Sequence, residues 1–523
     1  MVKHFVVFPC TGWGHTRPVV FLVSRFVKMR PQLRVTFCTF DSIFDRVKAE
    51  VERCFEPSEK HYAEHIRQIR LTELARRCAL LTQRRFRVIS MGAAMFIRSD
   101  EADNNFKLTW ERLVAGQPAT CFKTGTVFEA LPKPSAALTD LFAARPFSYL
   151  KAISGNSIKV YMWHPGLTYD MFYLWGAERV GGKGNIRLKA EEEARRTGQP
   201  YEEIVGKLAW GAQGKVVQLP AFPPMYDHEF FPQDLPMSDD IKLGLIPHMH
   251  EYVEATDGIF LYSPDCIEPG SKAAIREWYG ERSRSVFVCW TVPPSSSFAL
   301  SEEKKQSADT QQIETLLEST LRTSGEKSLV YISMGSMFWP AACPEKMWAL
   351  LDVLMEMNIP FILSHASPMA VVPDEVREKV MAYGKGLLSP WTPQQMILNH
   401  PATGWIVTHG GHGGVMESLC AGVPMIFWPF VGDQPLNAIH FSEYLKVSYE
   451  LTEVRFGAGL GPILRNGKTP TGTVEAVAAE ARDILLQAFG EDGAKKRQRL
   501  LEEGSWADGG VAEKDVNAFL DSL

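Results

Sequence analysis

The run Gly404-Trp-Ile-Val-Thr408-His409-Gly410-Gly411-His412-Gly413-Gly414-Val-Met-Glu417 decides how this chain folds. Up to Thr408 it is of strand type, its glycines mark a turn, and the residues beyond Gly414 continue as a helix. Glycines between a strand and a helix allow a tight turn and let an anion approach the backbone closely. The helix N-terminus behind them offers unpaired N–H groups and a partial positive charge, which suits a phosphate. His409, at the strand end, adds a hydrogen-bonding side chain. The run is neither GxxxxGK[ST] nor GxGxxG. Taken alone, it serves equally well as a packing device.

Outward from this unit the same rhythm repeats. In the second half of the chain, Ser328–Ser333 reads as a strand ending in the turn Met334-Gly335-Ser336, and Phe361–Ser364 and Met425–Phe427 are further strands. In the first half, Lys3–Phe8 is a strand, Cys10–His15 a turn, Thr16–Met29 a helix and Leu33–Phe40 a second strand, with Ala136–Leu138 and Ile158–Met162 later. Strand, helix, strand in parallel sequence predicts two successive doubly wound α/β units. The boundary lies where the composition turns to Val-Pro-Pro-Ser-Ser-Ser-Phe and then Glu-Glu-Lys-Lys-Gln-Ser. The expected plan is an N-terminal domain over 1–290, a linker over 291–312, and a C-terminal domain over 313–505. A C-terminal helix over 506–523 completes it, with return to the N-terminal domain as one placement. The segment Tyr169–Pro236 breaks the rhythm. It reads as a surface insertion carrying an amphipathic helix, or as a mobile wall of an acceptor pocket.

Composition bounds the function. At 523 residues the chain is too long for one core, which supports two domains. A net charge of −5 gives no electrostatic case for nucleic acid or an anionic membrane. The nine cysteines are scattered without a CxxC or Cys/His cluster, so a reducing compartment is expected, with no structural metal and no disulfide framework. No apolar run reaches the roughly 18 residues of a membrane span, and the apolar start breaks at Pro9, too soon for a signal peptide. A cytoplasmic protein is the expectation.

The chemistry concentrates in 391–434. Trp391 offers a flat surface on which a base would stack for roughly 1–3 kcal/mol. Glu417, in the helix after the glycines, is placed to accept bonds from ribose hydroxyls. Asp433 and Gln434, past the next strand, suit sugar hydroxyls. Base platform, phosphate cradle, ribose acceptor and sugar clamp follow in order along one unit, and that order matches the parts of a nucleotide sugar.

This stretch, W-x-P-Q…H-G-G…E…G-V-P…P…D-Q, resembles the signature box of family 1 glycosyltransferases, the UDP-glycosyltransferases, with weaker similarity over most of the chain. The resemblance implies the GT-B arrangement of two facing Rossmann-like domains and a UDP-sugar as co-substrate, with no cofactor and no metal. It implies that Trp391 stacks on uracil beside the Thr392 backbone and Gln394. It puts His409, Ser336 and the N–H groups of Gly413 and Gly414 on the diphosphate, Glu417 on the ribose, and Asp433 and Gln434 on the sugar. Plant members carry Cys-Gly-Trp-Asn-Ser after the histidine; here Gly410-Gly411-His412-Gly413-Gly414 leaves phosphate binding to the backbone. The closing Gln434 resembles glucose-using members.

Sugar transfer needs a base for the acceptor hydroxyl, and histidine titrates near the working pH. His15 follows Gly12-Trp13-Gly14 at the end of the first strand; read alone it is more simply a helix-start or core residue. The pattern Gly14-His15-x-x-Pro18 resembles the family's catalytic histidine, and Asp140, at a later strand end, the aspartate that holds it; the plain reading of Asp140 is a helix N-cap. His164 stands where many relatives have a donor-contacting threonine. Inverting, metal-independent transfer of a sugar, expected to be glucose, to a small apolar hydroxylated acceptor such as a terpenoid, sterol, phenolic or lipid is the function these readings imply. The alternatives are a different nucleotide sugar, a sugar-nucleotide-binding protein without activity, and an NAD-dependent oxidoreductase, which the lack of GxGxxG disfavours.

Overall fold

The computed structural model describes residues 2–71, 100–234, 243, 245–290, 293–502 and 510–523. The chain forms two compact units: Met1–Gly211 with Pro236–Pro294 and Gly509–Leu523, and Ala212–Leu235 with Ser295–Asp508. The start of the expected linker at 291, the expected boundary at 505–506 and the end of the insertion at 236 lie outside the described residues.

The first unit is built on seven strands: β1 (Lys3–Phe8), β2 (Leu33–Thr39), β3 (Ile66–Arg70), β4 (Ala136–Asp140), β5 (Lys159–His164), β6 (Gly258–Leu261) and β7 (Ser285–Val288). Their order is β7-β6-β5-β4-β1-β2-β3, with every neighbouring pair parallel. The strands read as near-continuous apolar runs because helices cover a parallel sheet on both faces. Strand order reverses between β1 and β4, and ligands of open α/β sheets bind outside the carboxyl ends of the strands at such a point. Helix α1 (Trp13–Met29) leaves β1 there. It begins three residues earlier than the sequence suggested, so His15 sits in its first turn.

The 169–236 segment is not one surface insertion. Helix α2 (Thr168–Trp175) is buried along its whole length, with Phe172 packed on Trp278 at 5.7 Å between ring centroids. Beyond Thr168 and Asp170, which are buried and bonded inside, its side chains are apolar or aromatic on every side, as in a helix of a core. Helices α3 (Ile186–Thr197) and α4 (Tyr201–Trp210) are the amphipathic pair, packing Ala190 against Ile204 and Val205. Residues Ala212–Leu235 belong to the second unit. There Glu229 pairs with Arg465, and Pro232 accepts a hydrogen bond from the Phe456 N–H at 2.8 Å. The C-terminal helix Gly510–Ser522 packs in the first unit, its Phe519 ring against Phe5, Phe26, Phe260 and Phe287.

The second unit carries β8 (Leu329–Ser333), β9 (Phe361–Ser364), β10 (Gly386–Ser389), β11 (Thr403–Thr408), β12 (Met425–Phe427) and β13 (Tyr449–Glu450). The order is β10-β9-β8-β11-β12-β13, again all parallel. Its switch point lies between β8 and β11. The 291–312 stretch is not free linker from Ser297 onward. Ser296 caps helix α5 (Ser297–Lys304) through its hydroxyl, and buried Glu303 accepts the N–H groups of Gln395 and Met396. Its polar composition reflects a half-exposed helix. No helix among the described residues is long and apolar enough to cross a membrane.

Candidate functional site

In each unit the candidate residues of the sequence follow the carboxyl ends of the parallel strands. In the first, Gly12 precedes α1 and His15 projects from its first turn. Asp140 is the last residue of β4, the neighbour of β1. His15 Nδ1 lies 3.0 Å from Asp140 Oδ2 and 3.3 Å from Oδ1. A carboxylate only accepts, so Nδ1 carries a proton, and in the neutral ring the lone pair is at Nε2. The Asp140 side chain is fully buried while that of His15 is 19% exposed, so the pair is anchored inside and reached from outside.

Burial alone would lower the affinity of the His15 ring for a proton. The Asp140 carboxylate, aided by Cys10, outweighs it and holds the imidazole well above the usual histidine range. Asp140 also caps the chain after β4, since Oδ1 accepts the Phe142 N–H at 2.9 Å. Two residues that the sequence did not single out complete the support. Phe142 stacks on the His15 ring at 5.1 Å and 26°, and Trp163 Nε1 donates to the His15 carbonyl at 3.0 Å. Neither follows a motif; both are brought in by the register of β4 and β5 beside α1.

His164 is buried in the same unit. Its Nε2 lies 2.9 Å from the Leu167 carbonyl and 3.2 Å from Asp170. Nearby, Glu268 accepts from the Thr168 N–H and hydroxyl, each at 2.8 Å. These bonds give His164 an internal structural role at the turn after β5.

In the second unit, helix α6 (Gln394–Leu398) and helix α7 (His412–Cys420) bring the start and the middle of the signature together. Thr392 Oγ1 and the Tyr331 hydroxyl are 2.7 Å apart, and Tyr331 donates to Gln394 Oε1 at 3.3 Å. Gln394 Nε2 in turn donates to Glu417 Oε2 at 2.6 Å. This chain of bonds fixes Gln394 and Glu417 relative to one another. The Trp391 carbonyl accepts from the Ser307 and Ser389 hydroxyls, which pins the segment carrying the indole.

His409 follows β11 and lies beside the turn after β8. Burial drives its pKa down to about 4, only partly offset by a hydrogen bond to the Ser333 backbone, so the ring is neutral. The glycines around it make room for the ring. A Cβ on Gly335 would meet His409 at 2.7 Å and one on Gly411 at 2.5 Å, and Phe338 packs on it at 5.3 Å. Ser336 follows Gly335, whose φ of +69° turns the chain after β8. Part of the glycine run therefore serves the histidine directly.

Helix α8 (Gln434–Ile439) follows β12. Asp433 Oδ2 accepts the His412 N–H at 3.1 Å and Asn437 Nδ2 at 2.9 Å. The first N–H of α7 is thus committed to Asp433, and those of Gly413 and Gly414 come next at a helix start, where no intrahelical partner exists. Gln434 is buried, and its Oε1 accepts the N–H groups of Phe430 and Val431 at 2.9 and 3.3 Å. Its oxygen is spent on the turn, which leaves the NH₂ end for a ligand.

The two parallel α/β units are those of the GT-B fold. The family described as UDP-glucoronosyl and UDP-glucosyl transferase matches residues 303–449. The UDP-glycosyltransferase eriJ of Hericium erinaceus is 27% identical over 536 residues, covering 99% of this chain and 98% of that protein. The flavonol 3-O-glucosyltransferase F3GT2 of Actinidia chinensis is 41% identical over 114 residues, 21% of this chain and 24% of that one. The solved structure of Medicago truncatula UGT71G1 complexed with UDP-glucose shares the fold, with a TM-score of 0.64, 18% identity, and 99% and 98% of the two chains covered. Residues 303–449 thus match the UDP-glycosyltransferase family, and the chain is a glycosyltransferase that uses a UDP-sugar.

Proposed function

We propose that this enzyme transfers glucose from UDP-glucose to a hydroxyl of a small apolar acceptor, with inversion and without a metal. The observation that carries this reading is the His15–Asp140 pair at the switch point of the first sheet. With Nδ1 held by Asp140, His15 Nε2 takes the acceptor proton as the acceptor oxygen bonds to the anomeric carbon. The bond from that carbon to the diphosphate oxygen breaks, and UDP leaves with the electron pair. A single displacement inverts the configuration. Asp140 orients the ring and stabilises the imidazolium, as the carboxylate does in a hydrolase triad.

On the donor side, Trp391 supports the uracil beside the Thr392 backbone and Gln394, and Glu417 takes the ribose hydroxyls. The N–H groups of Gly413 and Gly414, with Ser336 and His409, receive the diphosphate. Charge that develops on the leaving group is met by a helix N-terminus, which does the work a cation would otherwise do. Asp433 and the Gln434 amide face the sugar. The flavonol-directed relative supports an apolar hydroxylated acceptor such as a phenolic.

The test incubates the protein and EDTA with UDP-glucose and a panel of flavonols, terpenoid alcohols and sterols, with GDP- and dTDP-glucose as rival donors. A β-glucoside, read from the large anomeric proton coupling, supports the reading. An α-glucoside, or faster turnover with another nucleotide, overturns it.

A further inference from the structure

The sulfur of Cys10, a ring nitrogen of His15 and a carboxylate oxygen of Asp140 all lie within 4.8 Å of one another. Among the described residues this is the one group of three side chains of metal-ligating type drawn so close. Cys10 follows β1 and is buried, and its sulfur accepts the Gly12 N–H at 3.2 Å, which fixes its direction. Thr16 donates to the Cys10 carbonyl at 2.8 Å, closing the turn from the other side. Thiolate, imidazole and carboxylate form the donor set of an open zinc site, with three protein ligands and a fourth position for a small molecule. Tetrahedral Zn²⁺ bonded at its usual distances separates its ligands by about 3.3–3.7 Å. Closing these three groups onto the ion therefore needs side-chain movements of only about 1.5 Å at most.

We propose that Cys10, His15 and Asp140 form an inhibitory site for a thiophilic divalent cation such as Zn²⁺. The inference rests on His15 being the base only for its consequence, not for the binding itself. A neutral imidazole has one lone pair. If the cation takes it at Nε2, the acceptor hydroxyl has nothing to which it can give its proton. If the cation takes it at Nδ1, the ring proton moves to Nε2 and the result is the same. Hard cations that prefer oxygen ligands, such as Mg²⁺, match this donor set poorly. The site thus makes the enzyme sensitive to a metal it does not use.

The test uses the full-length protein freed of metal with EDTA and then desalted. Co²⁺, as a spectroscopic stand-in, is expected to give a thiolate-to-cobalt charge-transfer band that Zn²⁺ displaces. Micromolar Zn²⁺ is expected to inhibit glycosyl transfer, Mg²⁺ is not, and EDTA restores the rate. In Cys10→Ala the band is lost, and the Zn²⁺ needed for half-inhibition, measured against the variant's own rate, rises roughly tenfold or more. Cys10→Ser serves as the second variant should the alanine protein fail to fold, and it too loses the sulfur band. Absence of the band in wild type, or equal Zn²⁺ sensitivity in the variants, overturns the site. A band that depends on Cys10 without any inhibition upholds the site and overturns His15 as the base.

Discussion

The ring of Phe142 lies over the imidazole of His15, centroids 5.1 Å apart and planes 26° from parallel, while the Phe142 N–H bonds to the carboxylate that holds His15. One residue thus steadies both members of the pair, through its ring and through its backbone. Phe142→Ala keeps the backbone bond and removes the ring. The expected result is a kcat loss of about tenfold with little change in KM for the donor, since a misplaced base weakens only the chemical step. Phe142→Tyr, which keeps the ring, should retain most activity. Steady-state kinetics of the two variants checks this.

Asp140 determines which nitrogen of His15 carries the proton. Asp140→Asn can present its amide NH₂ to Nδ1 and so favour the wrong tautomer, while the fold is preserved. A kcat loss of about 10²–10⁴-fold is expected, the usual contribution of general-base catalysis. UDP affinity, measured by calorimetry, should be unchanged because the residue lies outside the donor cluster.

Gly411 sits against the His409 ring. A methyl there would approach Nε2 to 2.5 Å and displace a ring already confined by Gly335 and Phe338. Gly411→Ala is expected to weaken UDP binding by about 1–2 kcal/mol, roughly tenfold in Kd. Calorimetric titration with UDP measures it directly.

The neutral state of His409 carries its own pH signature. Burial lowers its pKa to about 4, below the ordinary value of an unfolded chain. The unfolded state therefore binds more protons between about pH 6.5 and 4, so the stability owed to this residue is present above that window and is lost as pH falls through it. NMR of the His409 ring protons should show no titration between about pH 6 and 8 in the free protein. A midpoint in that range would contradict the burial argument.

Gln434 separates a structural from a ligand role. Gln434→Ala strands the N–H groups of Phe430 and Val431, at a cost of about 1–3 kcal/mol. Gln434→Glu keeps an accepting oxygen there and replaces the NH₂ end. Thermal melts should show a clear loss of Tm for the alanine variant and a smaller one for the glutamate variant. Donor-sugar affinity should fall in both.

The sequence reveals what repeats locally. The βα turns at Cys10–His15, Met334–Ser336 and His409–Gly414 are spelled out by apolar runs that end in glycine, so the sheets and the candidate residues at their switch points were legible. Tertiary partners were not. Phe142 reaches His15, and Tyr331 joins Thr392 to Gln394, only through strand register, which no spacing in the chain records. Glu303 looked like part of a charged linker because the residues it caps lie more than 90 positions away. The 169–236 segment misled for the opposite reason. Its first helix is buried on every side and so lacks the periodicity by which a packed helix is recognised, and its last part folds with the other unit.

The most direct test of the account is UDP release from UDP-glucose in the presence of EDTA and an apolar hydroxylated acceptor, for wild type and His15→Ala. The account predicts acceptor-dependent release in wild type that falls by at least about 10²-fold in the variant, while UDP still binds both. Equal release by the two proteins, or release that EDTA abolishes, would contradict it.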